Sequence, residues 1–185
     1  MKPNLSPTDW IKASFRALTS GGPQAIRAES IARALNVSKG SFYWHFKDVP
    51  ALKQAMLDHW AKTATQDIID LVEAEAKDSK SRLHLLVRVS TALPIDQYGG
   101  ALAEAAIRDW ARYDNNAATV LKTIDQQRLT FVKDQFRAHD LSQIQSKQRA
   151  AILYAALIGL NQLSHHNLAN PFDDLTALLE HLLIP

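Results

Sequence analysis

The 185-residue sequence predicts an all-α protein, an N-terminal three-helix head followed by a C-terminal helical bundle, about nine helices in total. Three observations carry this reading. Apolar residues recur at spacings of three and four along most of the chain. Alternating β-branched runs, the mark of half-buried strands, are missing. Gly, Pro and Asn interrupt the pattern at helix-length intervals.

A first helix is expected from Thr8 to Ser20, ended by Gly21-Gly22-Pro23. Two short helices follow within Ala28 to Phe46. Asp48, an acidic cap with Pro50 behind it, starts a fourth helix that could run to about Ala76 and would join the two parts without a flexible linker. Pro94 ends another helix, with Gly99-Gly100 close behind, and Asn115-Asn116 and His139-Asp140 are further joints. A long helix is expected from Ser146 to Leu168, stopped by Asn170-Pro171. A last one should run from Asp173 to Leu183, capped by Asp173 or Asp174. The chain therefore divides near residue 48, with residues 1–48 forming the head and 49–185 the bundle.

Composition narrows the function classes. Hydrophobic residues make up 46% and charged residues 22%, ordinary for a globular protein with a real core. No apolar run reaches the roughly 18 residues that a membrane span requires. The opening Met1-Lys2-Pro3-Asn4-Leu5-Ser6 lacks the apolar stretch of a secretory signal. Cysteine is absent, which excludes disulfides and thiolate chemistry and fits a cytoplasmic setting. Net charge is +2 but uneven. Residues 1–50 carry seven basic residues (Lys2, Lys12, Arg16, Arg27, Arg33, Lys39, Lys47) against three acids (Asp9, Glu29, Asp48), whereas the rest carries 14 basic and 16 acidic residues. A basic front on a mildly acidic back points to a polyanion partner for the front.

The segment from Ala28 to Phe46 fits two short helices joined by a sharp turn. Ile31 and Leu35 face inward, and small Ala32 and Ala34 let the second helix approach. Asn36 tolerates the left-handed conformation of a tight helix exit, Val37 plugs the turn, and Ser38 caps the next helix. Phe42 and Phe46, four apart, bury the inner face. The outer face is then Lys39, Ser41, Tyr43, Trp44 and His45, with Gly40 near the start. Such a donor-rich helix of about seven residues fits the major groove, its N-terminal end reaching base edges. Tyr43, His45 and Lys47 are also suited to phosphates. One helix cannot bury five consecutive large residues on one face, so Tyr43-Trp44-His45 should stay outside.

Val37-Ser38-Lys39-Gly40-Ser41-Phe42-Tyr43-Trp44-His45-Phe46-Lys47-Asp48, followed by Ala51-Leu52, resembles the helix-turn-helix signature of the tetracycline-repressor (TetR) family. The resemblance is specific over about Ala25 to Leu57. It extends loosely upstream, where Phe15 would be a core residue. Asn36 stands where the family usually has glycine, and Val49-Pro50 where it has a charged pair. The resemblance implies an all-helical homodimer that binds double-stranded operator DNA and often a small-molecule effector. By position it implies that Ser38, Lys39, Gly40, Ser41, Trp44 and His45 lie in or beside the groove, that Tyr43 and Lys47 touch phosphate, and that Arg27 contacts the DNA.

Two late helices have the stripes of a dimer interface. The first carries Ile152, Ala155, Ala156, Gly159, Leu160 and Leu163, with Ala155 and Gly159 small enough for close packing. The second carries Leu175, Leu178, Leu179, Leu182 and Leu183, a wide stripe for a short terminal helix. Both could instead serve only the core of one chain. In the family an effector site lies among the helices after the head. There this sequence offers Trp60, Leu86, Leu93, Ile107, Trp110, Tyr113, Arg128 and Phe131, apolar walls with a few polar groups, which is also the pattern of plain core.

Catalytic and metal signatures are absent. There is no Gly-rich phosphate loop, no G-x-S-x-G and no His-x3-His pair, so no cofactor is expected. His165-His166 point roughly 100° apart on a helix and cannot easily share a metal. Glu73, Glu75 and Asp78 form a solvated acidic patch, and Glu104, Arg108 and Asp109 have ion-pair spacing. The expected function is thus a DNA-binding transcriptional regulator, a repressor released by an effector. The alternatives are a regulator without a small-molecule ligand, a helical enzyme with a vestigial head, or an architectural DNA-binding protein.

Overall fold

The structure, a computed structural model, describes residues 5–92, 98–139 and 141–184. Every regular element among them is helical. In chain order they are α1 (Pro7–Gly21), a 3-10 turn (Pro23–Ala25), α2 (Ala28–Ala34), α3 (Lys39–Phe42), α4 (Val49–Ala61), a π-turn (Lys62–Gln66) and α5 (Asp67–Glu75). Then come α6 (Ser79–Ser90), a 3-10 turn (Gly100–Leu102), α7 (Ala103–Trp110), α8 (Asn115–Ala138), α9 (Gln143–Ser164) and α10 (Pro171–Leu183). Among the described residues the all-α expectation is borne out. Pro94 and Asp140, two of the expected breakers, lie outside the described residues.

The chain forms two compact units. The first joins the residues up to Ala61 with the stretch ending at Leu121; the second is Lys62–Ala92 with Lys122 onward. A boundary at residue 48 is therefore not where the packing divides. The head helices bury more apolar surface than three short helices can cover, so α1 also packs on α4 and α7. The interior of this unit is Trp10, Phe15, Leu18, Ile31, Phe42, Leu52, Met56, Leu57 and Ile107. Asp48 starts α4 as expected, its carboxylate accepting from the Ala51 N–H at 2.7 Å.

The second unit opens on the π-turn, within the stretch where the sequence allows one helix to about Ala76. Lys62–Gln66 forms one wider turn directly ahead of α5, which ends at Glu75. The core here is Leu83, Val87, Val132, Phe136, Ala150, Leu153, Leu175, Leu179 and Leu183. Asp78 caps α6, accepting from the Ser81 N–H at 2.9 Å. The Ser142 hydroxyl and the Gln145 side chain cap α9 reciprocally.

Two helix exits share one device. After α2, Asn36 has φ 57°, the Val37 N–H reaches Ala32 O at 2.9 Å and the Asn36 N–H reaches Arg33 O at 3.1 Å. After α9, Asn167 has φ 57°, Leu168 N–H reaches Leu163 O at 3.2 Å and Asn167 N–H reaches Ser164 O at 3.0 Å. Both are six-to-one plus five-to-two Schellman ends, with Asn in the left-handed position. The second stops α9 at Ser164, ahead of the Asn170-Pro171 stop that the sequence suggested. Asn170 instead caps α10.

Candidate nucleic-acid interface

The region from Ala28 to Phe46 forms the expected pair of short helices. The Asn36 exit folds α2 back onto α3, and Ile31 and Ala32 are buried beneath the turn. Leu35 and Val37 are half-buried, and Ala34 is exposed, so Ala32 alone provides the close approach expected of both alanines. Ser38 occupies the cap position of α3, but its side chain makes no capping bond; its carbonyl accepts from the Ser41 N–H at 3.0 Å. The regular part of α3 is four residues long, shorter than expected. Turns continue its path, with Tyr43 N–H bonded to Gly40 O at 3.2 Å and both His45 and Phe46 N–H bonded to Phe42 O at 3.0 Å.

Phe42 and Phe46 are buried, with ring centroids 5.9 Å apart. Trp10 of α1, fully buried, meets Phe42 edge-on at 5.5 Å and lies under His45 at 6.2 Å. Trp10 is the buttress that sequence reasoning missed; its place in an apolar α1 pattern gave no sign of which helix it would support. With the phenylalanines held inward, Tyr43 and Trp44 are turned outward, 57% and 88% exposed. Lys39, Gly40 and Lys47 are exposed, and Ser41 and His45 half-buried. A Cβ on Gly40 would meet only Ser38 Oγ at 3.7 Å, so the protein's own packing does not demand glycine there.

One ion pair spans this face. Lys39 Nζ donates to Glu29 Oε1 at 2.6 Å across the turn. That hydrogen bond holds the Glu29 carboxyl below its usual range and raises the Lys39 ammonium above its own. Glu29 is the second residue that sequence reasoning missed, because ten positions separate it from Lys39. Arg27 is exposed before α2, its Nε donating to Gln24 O at 2.9 Å, beside an open depression of about 460 Å³ that also includes Ser20 and Ser30.

The residues expected to line an effector site fall in both units. Trp60, Ile107 and Trp110 are buried in the first. Leu86 is partly buried and Phe131 buried in the second. Tyr113 is 82% exposed and lines no interior wall, because it follows the end of α7 in a turn. Leu93 lies outside the described residues. Arg128 has the most organised surroundings. Its guanidinium donates to Ala64 O and Thr65 Oγ1, both at 2.9 Å, and to the Tyr154 hydroxyl at 3.1 Å. Tyr154 in turn donates to Asp125 at 2.7 Å.

The expected dimer residues also separate. Ile152, Ala155, Gly159 and Leu163 lie exposed on one stripe of α9, and a Cβ added at Gly159 would meet nothing within 4 Å. Leu175 and Leu179 are buried in the core of their own chain, where α10 packs on α6 and α9, so they form no outer stripe. Ala156, Leu160, Leu178 and Leu182 flank that core, partly buried. The Glu104–Arg108 ion pair forms at 2.9 Å, and no group of three metal-ligating side chains occurs among the described residues.

Residues 11–56 match the sequence model of bacterial regulatory proteins of the tetR family. No curated protein matches the chain in sequence. Among solved structures, it is similar over 95% of its length to 96% of a Rhodococcus sp. chain described as a TetR-family transcriptional regulator, with TM-score 0.76 and 20% identity. A TetR-family transcriptional regulator from Streptomyces coelicolor gives TM-score 0.77 at 13% identity, covering 98% of this chain and 96% of that one. A Saccharomonospora viridis protein described as a transcriptional regulator, in complex with choline, gives 0.78 at 15% identity, with 95% of each chain covered. Residues 11–56, which hold the helix-turn-helix, thus match the tetR-family sequence model, and the chain shares its fold along nearly its whole length with these regulators.

Proposed function

We propose that the protein binds a pseudo-palindromic operator as a homodimer and represses transcription until a small molecule releases it. One observation carries the DNA reading: Tyr43 and Trp44 stand out in solvent on a segment pinned from behind by Phe42, Phe46 and Trp10. Large rings are otherwise turned outward only at a cost, and a duplex surface repays it. In this reading Lys39, Gly40, Ser41, Trp44 and His45 approach base edges from α3, with Ser38 at its cap. Tyr43, Lys47 and Arg27 hold phosphates. Gly40 then keeps the groove side clear, which fits a position where a Cβ meets nothing tight in the protein.

Dimerisation is supported by the exposed stripe of Ile152, Ala155, Gly159 and Leu163 on α9, and by the partly exposed Leu178 and Leu182 of α10. A stripe of small and aliphatic residues suits the same stripe of a second copy, and a two-fold operator calls for a two-fold protein.

The effector reading is supported by Arg128, a polar group three residues from the buried Phe131 on α8, by the partly buried Leu86 packed in the same cluster as Phe131, and by the choline held in one similar structure. A ligand acceptor that competes for Arg128 would leave Ala64 O and the π-turn without their donor. Such a ligand acts only through different affinities for two states of the protein, typically worth about 1–3 kcal/mol. The protein acts by binding rather than by catalysis, in the cytoplasm.

The test is selection of genomic fragments by the purified full-length protein, followed by footprinting. Enrichment of one palindrome near a promoter is expected. Uniform recovery of all sequences would instead leave an architectural protein. Replacing Lys47 with Ala should weaken binding to every duplex and reduce the salt slope by about 0.9, whereas replacing Trp44 should change which bases are preferred.

A further inference from the structure

Lys39 is the first residue of α3, and its ammonium does not point freely into solvent. It is tied to Glu29 in the first turn of α2, ten residues earlier. Both side chains are half or more exposed, 50% and 63%. Such a pair adds little to stability, since water and salt screen it. The fold therefore does not explain the pair. It is also out of place electrostatically, because a carboxylate on a surface that meets a polyanion repels the phosphates. Of the 50 residues at the basic front of the chain, only three are acidic, and one of these engages a lysine at the start of the proposed reading helix.

Lysine geometry gives the arrangement a use. An ammonium has three donors on a flexible stem, so Lys39 can keep Glu29 and still offer a proton to one more acceptor. Left alone, such a stem relaxes towards the nearest phosphate, which every sequence provides. Tied to Glu29, it stays above the start of α3, where a base edge would lie.

We propose that Glu29 is a specificity-determining residue, a tether that lets Lys39 reach a base-edge acceptor such as guanine O6 or N7 while withholding it from phosphate. On unrelated DNA the ammonium stays tied to Glu29 and adds no phosphate contact. On the operator it bridges Glu29 and the base. The assignment rests on the proposed binding of duplex DNA through α3.

The experiment uses the full-length protein as wild type, Glu29→Gln, Lys39→Met and the double variant, each checked for an unchanged melting profile. Two probes are used: the duplex enriched by wild type from a random library, and a scrambled duplex of the same length and composition. Binding is followed by anisotropy across a salt series. For Glu29→Gln, the scrambled duplex should bind about tenfold more tightly at low salt, and the log–log salt slope should steepen by about 0.9, one further phosphate contact. The ratio of enriched to scrambled affinity should fall by about the same tenfold factor. In the Lys39→Met background, Glu29→Gln should leave slope and ratio where they were. An unchanged ratio in Glu29→Gln, or an equal gain in both backgrounds, overturns the assignment while leaving DNA binding intact. A wild-type protein that enriches no sequence overturns the DNA reading itself, and the role of Glu29 with it.

Discussion

Arg128 reaches across from α8 to donate its Nη2 proton to the main-chain oxygen of Ala64 at 2.9 Å, with Thr65 Oγ1 taking the Nε proton at the same distance. A π-turn is a costly interruption of a helix, and it persists where side chains satisfy it. Arg128→Met should therefore loosen Lys62–Gln66. Hydrogen exchange at residues 62–70 should accelerate, and global stability should fall by about 2 kcal/mol, the cost of stranding a half-buried acceptor. Unchanged protection in this stretch would mean that the turn is held by something else.

Asn36 carries a positive φ with a side chain that tolerates it. Asn36→Gly should be close to neutral, whereas Asn36→Val should cost about 1–2 kcal/mol in denaturant titrations. The loss should be accompanied by weaker operator binding, since the same exit angle sets α3 against α2. Equal stability of the two variants would contradict the left-handed exit.

Ile152 and Leu179 distinguish surface from core. Ile152 is exposed on α9, so Ile152→Glu should leave the monomer folded and shift sedimentation from dimer to monomer. Leu179 is buried under α9 and α6, so Leu179→Ala should cost about 3 kcal/mol of folding stability whatever the oligomeric state. A dimer that survives Ile152→Glu places the interface elsewhere.

Asp114 caps α8, accepting from the N–H groups of Asn116 and Ala117, both at 3.0 Å. The bond from Ala117 contributes most to holding its carboxyl below the usual carboxylate value. The folded value thus lies beneath the unfolded one. Its stabilisation is complete above the unfolded value, at about pH 4, and is lost as pH falls through the folded one. Asp114→Ala should cost about 1 kcal/mol at pH 7, and the gap to wild type should narrow progressively as pH falls below about 4 in urea titrations.

The head was legible because its determinants are local. Asn36, Phe42 and Phe46 lie within a dozen residues, and each acts through spacing along the chain. The π-turn was not legible, since Lys62-Thr63-Ala64-Thr65-Gln66 has no breaker and its anchor is more than sixty positions away in sequence. The α10 leucines show a second limit. An amphipathic stripe says that a face is covered but not by what, so Leu175 and Leu179 read as a subunit contact and proved to be intrachain core. Asn167 repeats the Asn36 motif, yet the proline three residues after Leu168 was the louder stop signal.

The four tryptophans are unequally placed: Trp10, Trp60 and Trp110 are interior, while Trp44 stands in solvent. The protein therefore contains its own optical reporter. Iodide or acrylamide will quench the emission of Trp44 and leave the other three almost untouched. Under the proposed docking a duplex laid over that indole should shield it, so occupancy could be read from intrinsic fluorescence with no dye attached.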